Sequence, residues 1–181
     1  MIEEFWVKNY LSIRDKQELS FVAKGPASEL VSEVVDGVFL NKLGILYGPN
    51  ASGKSNMLIA LNEVFRILVN PKSDATDSIR GYIPFMLSKN EPTEMHVSFY
   101  ANGIKYDYSV QFNDRSILKE VLYYYPNKSK ALFYMRSFVG ENVQAEIKFG
   151  PSLDLTKKLR TVFVKTHSII IVSFQYAEKL H

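Results

Sequence analysis

Residues 43–69, LGILYGPNASGKSNMLIALNEVFRILV, decide the reading of the chain. The apolar run 43–47 reads as a buried strand. It meets Gly48-Pro49-Asn50-Ala51-Ser52-Gly53-Lys54-Ser55, and an apolar-periodic run beyond reads as a helix. That is G-x-x-x-x-G-K-[ST] between a strand and a helix, the P-loop or Walker A pattern. Gly48 and Gly53 let the backbone turn tightly and approach a phosphate with no Cβ in the way. The amides of residues 51–55 then point into one concavity, backed by the positive end of the helix dipole. Lys54 is expected on the β- and γ-phosphates of a nucleotide, and the Ser55 hydroxyl on Mg²⁺. The candidate binding stretch is Gly48, Asn50, Ala51, Ser52, Gly53, Lys54, Ser55 and Asn56, with Ser55 also the candidate metal ligand. No catalytic residue is assigned.

Working outward, 181 residues suffice for one domain with a sizeable core. No apolar run reaches the roughly eighteen residues of a membrane span. The opening MIEEFWVKNY is acidic and then amphipathic, which is not a signal peptide. Without cysteine there are no disulfides or thiolate metal sites, and His96, His167 and His181 are too scattered for zinc. A cytoplasmic, membrane-free protein is the expectation. The net charge of +3 is uneven, since residues 1–117 hold 12 basic and 14 acidic side chains and residues 118–181 hold 10 and 5. The basic second part reads either as a solvated face or as a surface for DNA, RNA or an acidic partner.

Before the loop, residues 4–10 and 17–22 read as strands, 24–28 as a loop, and 29–35 as strand or short helix. Asp36-Gly37 signals a hairpin into a strand at 38–40. The helix after Lys54 carries Met57, Leu58, Leu61, Val64, Phe65 and Leu68 on one stripe and stops at Asn70-Pro71. Residues 72–93 read as a loop with a short helix near 75–82. From Thr93 the period becomes two. Turns at Asn102-Gly103, Asn113-Asp114 and Pro126-Asn127-Lys128 divide strands at 93–101, 104–112, 118–125 and 131–138, with 143–149 a fifth candidate. Tyr123, Tyr124 and Tyr125 read as strand formers or as a stacking platform for bases. Gly150-Pro151 breaks the meander, 154–160 looks helical, and 168–174, SIIIVSF, is the most apolar stretch left.

A P-loop kinase would alternate strands and helices after the loop, and a GTPase would carry N-K-x-D, where this chain has Asn127-Lys128-Ser129-Lys130. The chain instead resembles the N-terminal half of an ABC/SMC-like ATPase head. It is similar to bacterial AAA family ATPase chains related to SMC, RecF and OLD-type ATPases, several of them linked to phage defence. The resemblance rests on MIEEFWVKNYLSIRDKQELSFVA, LYGPNASGKSN and EPTEMHVSFYANGIKYDYSVQF, covers about residues 1–150, and fades beyond. It implies an α/β P-loop fold joined to an antiparallel β subdomain, binding ATP and Mg²⁺ between two heads. In such heads the segment after the first strand, here with Ser12 and Arg14, lies near the nucleotide, which adds Arg14 to the candidates as a contact to a phosphate or the base.

Two family elements are missing. There is no Gly-Gly signature pair, and the only adjacent acid pair, Glu3-Glu4, stands at the wrong end for Walker B. The expectation is one incomplete head, truncated before Walker B with an odd tail from about 165. It divides into 1–70 with the P-loop, a linker 71–92, the β subdomain 93–150, and a C-terminal segment 151–181. It would bind ATP with little hydrolysis alone, as a homodimer or beside a chain supplying the missing half, with DNA or a nuclease as further partners. The alternative is a non-enzymatic interaction module, or a nucleic-acid-associated subunit using its basic C-terminal part.

Overall fold

A computed structural model describes residues 1–25, 28–69, 81–138 and 145–151. The elements are β1 (Ile2–Lys8), β2 (Gln17–Ser20), β3 (Val31–Val35), β4 (Val38–Asn41), α1 (Lys54–Val69), β5 (Thr93–Ala101), β6 (Ile104–Phe112), β7 (Ile117–Tyr124), β8 (Ala131–Phe138) and β9 (Ala145–Phe149). Seven strands form one sheet in the order β2-β1-β5-β6-β7-β8-β9, and β3-β4 form a separate hairpin. Every pairing is antiparallel.

Period-two alternation builds this sheet. Phe5, Val97, Tyr108, Leu122 and Tyr134 stand opposite one another across five strands, and all are buried. Helix α1 packs on β1 and β5 and adds Met57, Ala60, Val64, Ile67 and Leu68 to the same core. Each of these side chains larger than alanine contributes about 1.5–3 kcal/mol when taken from water. The tight β5–β6 turn is set by Asn102 and Gly103, at φ 50° and 73°, the left-handed pair that matches strand twist. The other face carries the row Trp6, His96, Ser109, Val121 and Met135. At the end of β9, a Cβ on Gly150 would lie 1.6 Å from the Leu132 carbonyl oxygen, so only glycine fits there.

One polar cluster sits in the core. Glu120 is fully buried and its Oε1 accepts hydrogen bonds from the hydroxyls of Tyr108 (2.8 Å) and Tyr134 (2.9 Å). Arg136, also buried, stands directly opposite on β8. Burial pushes the Glu120 carboxyl above its ordinary value, against the pull of the Tyr108 hydrogen bond and the Arg136 charge.

Several expectations need correction. Residues 43–47 form no strand. Among the described residues their backbone makes no hydrogen bond, and Ile45 and Tyr47 are 75% and 92% exposed. A run apolar on both faces becomes a strand only between paired neighbours and under covering layers, and the described residues supply neither. The described part is accordingly one helix on antiparallel strands, with no parallel pair, and not an evident α/β sheet. Of residues 29–35, 31–35 form a strand and 29–30 a turn. On α1, Leu58 is exposed, and Ala60 and Ile67 take the buried positions instead. Tyr123 and Tyr124 point to opposite faces. Lys130 lies 4.2 Å over the Tyr123 ring while Tyr124 meets Phe133 edge-on, so the tyrosine run is no single platform. The helices expected near 75–82 and at 154–160 fall largely or wholly outside the described residues, and the apolar 168–174 lies wholly outside them.

Candidate functional site

The loop after β4 carries the motif. Ala51 and Gly53 take φ of 63° and 89°, and Gly48 takes 150°. Left-handed Ala51 and Gly53, with Ser52 between them, curl the chain into a cup. The first helical bond runs from Met57 N–H to Gly53 C=O at 3.0 Å. The amides of Lys54, Ser55 and Asn56 therefore begin the helix without intrahelical partners. No acidic side chain lies in the first turn to offset the dipole, so the helix presents its positive end to the cup.

The Lys54 ammonium folds back over this cup. It donates to the carbonyls of Gly48 (2.9 Å) and Pro49 (2.7 Å), and its distance to Ser52 Oγ is 3.4 Å. The lysine thus sits on the loop's own acceptors, and an arriving phosphate takes it over from two carbonyl oxygens. Asn50, Ala51, Ser52 and Ser55 are exposed along the loop, and Gly53, Lys54 and Asn56 are half-buried.

A second wall comes from the chain after β1. Asn9 N–H bonds Arg14 C=O at 3.1 Å, and Tyr10 and Ile13 exchange both backbone bonds at 2.8 Å, with Leu11 reversed at φ 51°. This hairpin is anchored in the core through Tyr10 and Ile13. Burial, and then the nearby Glu63 charge, push the Tyr10 hydroxyl up to about 12. The hairpin leans on the loop. Asn56 Nδ2 donates to Ser12 Oγ at 2.6 Å, and Ser12 Oγ lies 3.4 Å from where a Cβ on Gly53 would be. Between the walls lies a cleft of about 550 Å³ lined by Ser12, Arg14, Asp15, Ser52, Gly53 and Lys54, with Leu46 and Tyr47 among its apolar residues. That volume falls within the range of small-molecule sites. Arg14 and the loop, expected together, share this cleft.

Asn9 is what sequence reading missed. It is 1% exposed and lies in the left-handed region at φ 54°. Its Nδ2 reaches the carbonyls of Ser88 (3.1 Å), Glu91 (2.7 Å) and Pro92 (3.2 Å). Its Oδ1 accepts from Phe85 N–H (3.1 Å) and Ser88 Oγ (2.6 Å), and its carbonyl from Thr93 Oγ1 (2.7 Å). The available signal was an asparagine in phase with Phe5 and Val7 on the core face. Elsewhere, the Glu3-Glu4 pair serves the sheet. Glu3 accepts from Ser98 Oγ and pairs with Lys105. Among the described residues, no three acidic or histidine side chains group as a metal site, and no helix is long and apolar enough to cross a membrane.

A glycine-hinged loop at a helix start, facing a cleft that Lys54 shares with Arg14, carries the P-loop pattern. A family model described as "AAA domain, putative AbiEii toxin, Type IV TA system" matches residues 44–173, and the chain belongs to this family. It is therefore a nucleotide-binding, ATPase-like domain. The match extends past Gly150 into the segment set apart above as a tail. No curated protein matches the chain.

Proposed function

We propose that this chain is the ATP-gripping part of an ABC/SMC-like ATPase. The observation that carries the reading is the cleft itself, with the helix start and Lys54 on one side and Arg14 on the other. The donor set suits a polyphosphate: main-chain amides, an ammonium, a guanidinium and hydroxyls. Lys54 and the amides of residues 51–55 hold the phosphates. Ser55 offers its hydroxyl to Mg²⁺, which supplies charge neutralisation between phosphate oxygens.

Hydrolysis by the isolated chain is slow in this reading. The carboxylates lining the cleft are Asp15 and Glu18, and Lys16 holds Glu18 at 3.0 Å. A base and a metal-binding acid then come from a second copy or a partner chain. We further place the chain in the cytoplasm and in phage defence, with DNA or a nuclease as downstream partner; the family's description names a putative toxin of a type IV toxin–antitoxin system. The alternative, a nucleic-acid-associated subunit using the basic C-terminal part, draws less support among the described residues, where Lys148 pairs with Glu146 and Lys130 lies over the Tyr123 ring.

Titration calorimetry with ATP and Mg²⁺ tests the reading. Wild type should bind with one site per chain, and Lys54→Ala should weaken binding by about tenfold or more, the loss of a charged contact. A folded wild-type chain that takes up no ATP would refute it, as would a Lys54→Ala chain that binds equally well.

A further inference from the structure

We propose that a second copy of this chain docks its β3–β4 hairpin on the sheet face turned away from α1, through the acid–phenyl pair Glu33 and Phe39. The contact lies apart from the phosphate cleft and needs no nucleotide. That sheet face holds a groove of about 430 Å³, lined by Trp6, Gln111, Lys119, Val121, Tyr123 and Met135 among others. Val121 and Met135 stand opposite one another on β7 and β8. Lys119 and Tyr123 flank Val121 on the same face of β7, two residues to either side. Lys130 lies 4.2 Å over the Tyr123 ring. The carboxylate lining the groove, Glu94, is neutralised by Lys8 at 3.1 Å. Lys119 and Lys130 have no carboxylate partner among the described residues. An apolar groove with two such cations fits an apolar side chain standing beside a carboxylate.

The hairpin carries that pair. Glu33 and Phe39 stand directly opposite on β3 and β4 and so share one face. The other face is the one that packs, since Leu40 is fully buried and bridges Val22. Phe39 is left 41% exposed, and Glu33 and Asp36 are exposed beside it. Glu33 makes no ion pair among the described residues, and its carboxylate accepts the Gly37 N–H at 2.9 Å. A chain does not reach its own groove with this hairpin. Bonds from Ala23 N–H to Phe39 C=O and from Asn41 N–H to Phe21 C=O hang it on the continuation of β2. That edge is four strands from β7 in the sheet order, roughly 19 Å at about 4.8 Å per strand. Charge and shape therefore select the hairpin of another copy. A nucleic acid would need cations in series along its phosphates, whereas Lys119 and Lys130 stand around an apolar surface. With a two-fold axis between copies the contact is made twice and closes into a dimer, and without one it continues from copy to copy.

Sedimentation velocity on the full chain over a concentration series, without nucleotide or Mg²⁺, tests the docking. Wild type should self-associate, and less so as salt rises. Lys119→Glu and Glu33→Lys should each weaken association about tenfold or more, because each sets like charges together. An equimolar mixture of the two single variants should associate as wild type does, since each groove then meets a hairpin of opposite charge. Should Glu33→Lys not fold for want of the Gly37 bond, Phe39→Ala takes its place, and its mixture with Lys119→Glu should associate more than either variant alone. A wild-type chain that stays monomeric across the series overturns the docking. So do single variants that associate as wild type does, and so does a mixture no better than its parts. Duplex DNA bound by a monomeric wild type and lost in Lys119→Glu would assign the groove to nucleic acid and overturn it as well.

Discussion

Replacing Asn9 by alanine should cost about 3–4 kcal/mol of stability. The side chain makes five contacts, three from Nδ2 and two to Oδ1. Two amide protons shared among three carbonyls count as two bonds, so roughly four are lost at about 1 kcal/mol each. Water reaching the partly buried acceptors lowers the figure, and alanine at φ 54° raises it by about 1 kcal/mol. Asn9→Gly removes the backbone part and should recover about that 1 kcal/mol. Asn9→Asp keeps both acceptor contacts but turns an oxygen toward three carbonyls, and should be at least as damaging as alanine. Urea denaturation followed by tryptophan fluorescence measures this, since Trp6 lies on β1 close to Asn9. Nucleotide affinity should fall as well, although Asn9 does not line the cleft, because the hairpin it pins carries Ser12 and Arg14. Asn9→Ala unfolding within 0.5 kcal/mol of wild type would refute the assignment of Asn9 as the hub of this end of the sheet.

Two further outcomes are expected. His96, stacked on Trp6 at 5.6 Å, is held below its ordinary 6.5 chiefly by burial. The fold therefore favours the neutral ring. Its contribution is complete above pH 6.5 and is lost as pH falls from there toward the depressed folded value. Urea midpoints at pH 7.5 and 5.5 should differ less in His96→Phe, which keeps the ring stack; an unchanged difference counts against His96 as the source. In the core, Tyr134→Phe should cost about 1 kcal/mol or more, because it removes a buried hydrogen bond to Glu120 Oε1. A cycle with Tyr108→Phe should be non-additive, since both hydroxyls share Glu120 Oε1, and additivity in thermal or urea melts would show that they act separately.

The residues whose partners are local were legible. Alternation from Thr93 onward placed β5, β6 and β8 at their observed bounds and β7 and β9 to within two residues, because period-two burial and turn residues are properties of a short stretch. The family was legible through the P-loop spacing, and the matching family model bears it out. The 43–47 run was not, because an apolar stretch says only that it needs partners, and the described residues hold none. The phase of α1 slipped at Leu58 because Ala60, small and fully buried, carries little apolar signal in the sequence. The Ser12–Asn56 contact and the Asn9 hub join positions 44 and about 80 residues apart, and one sequence without its relatives carries no trace of such pairs.

The bare stretch before Gly48 ties the molecule's solubility to its chemistry. Leu46 and Tyr47 belong both to this water-shunning ribbon and to the wall of the cleft. Whatever adheres to the ribbon, be it a chaperone, a dye or a neighbouring molecule at high concentration, arrives at the doorway of the phosphate cup. Stickiness and occupancy should therefore move against each other, with a filled cup giving clearer solutions and a clustered preparation leaving fewer cups to fill.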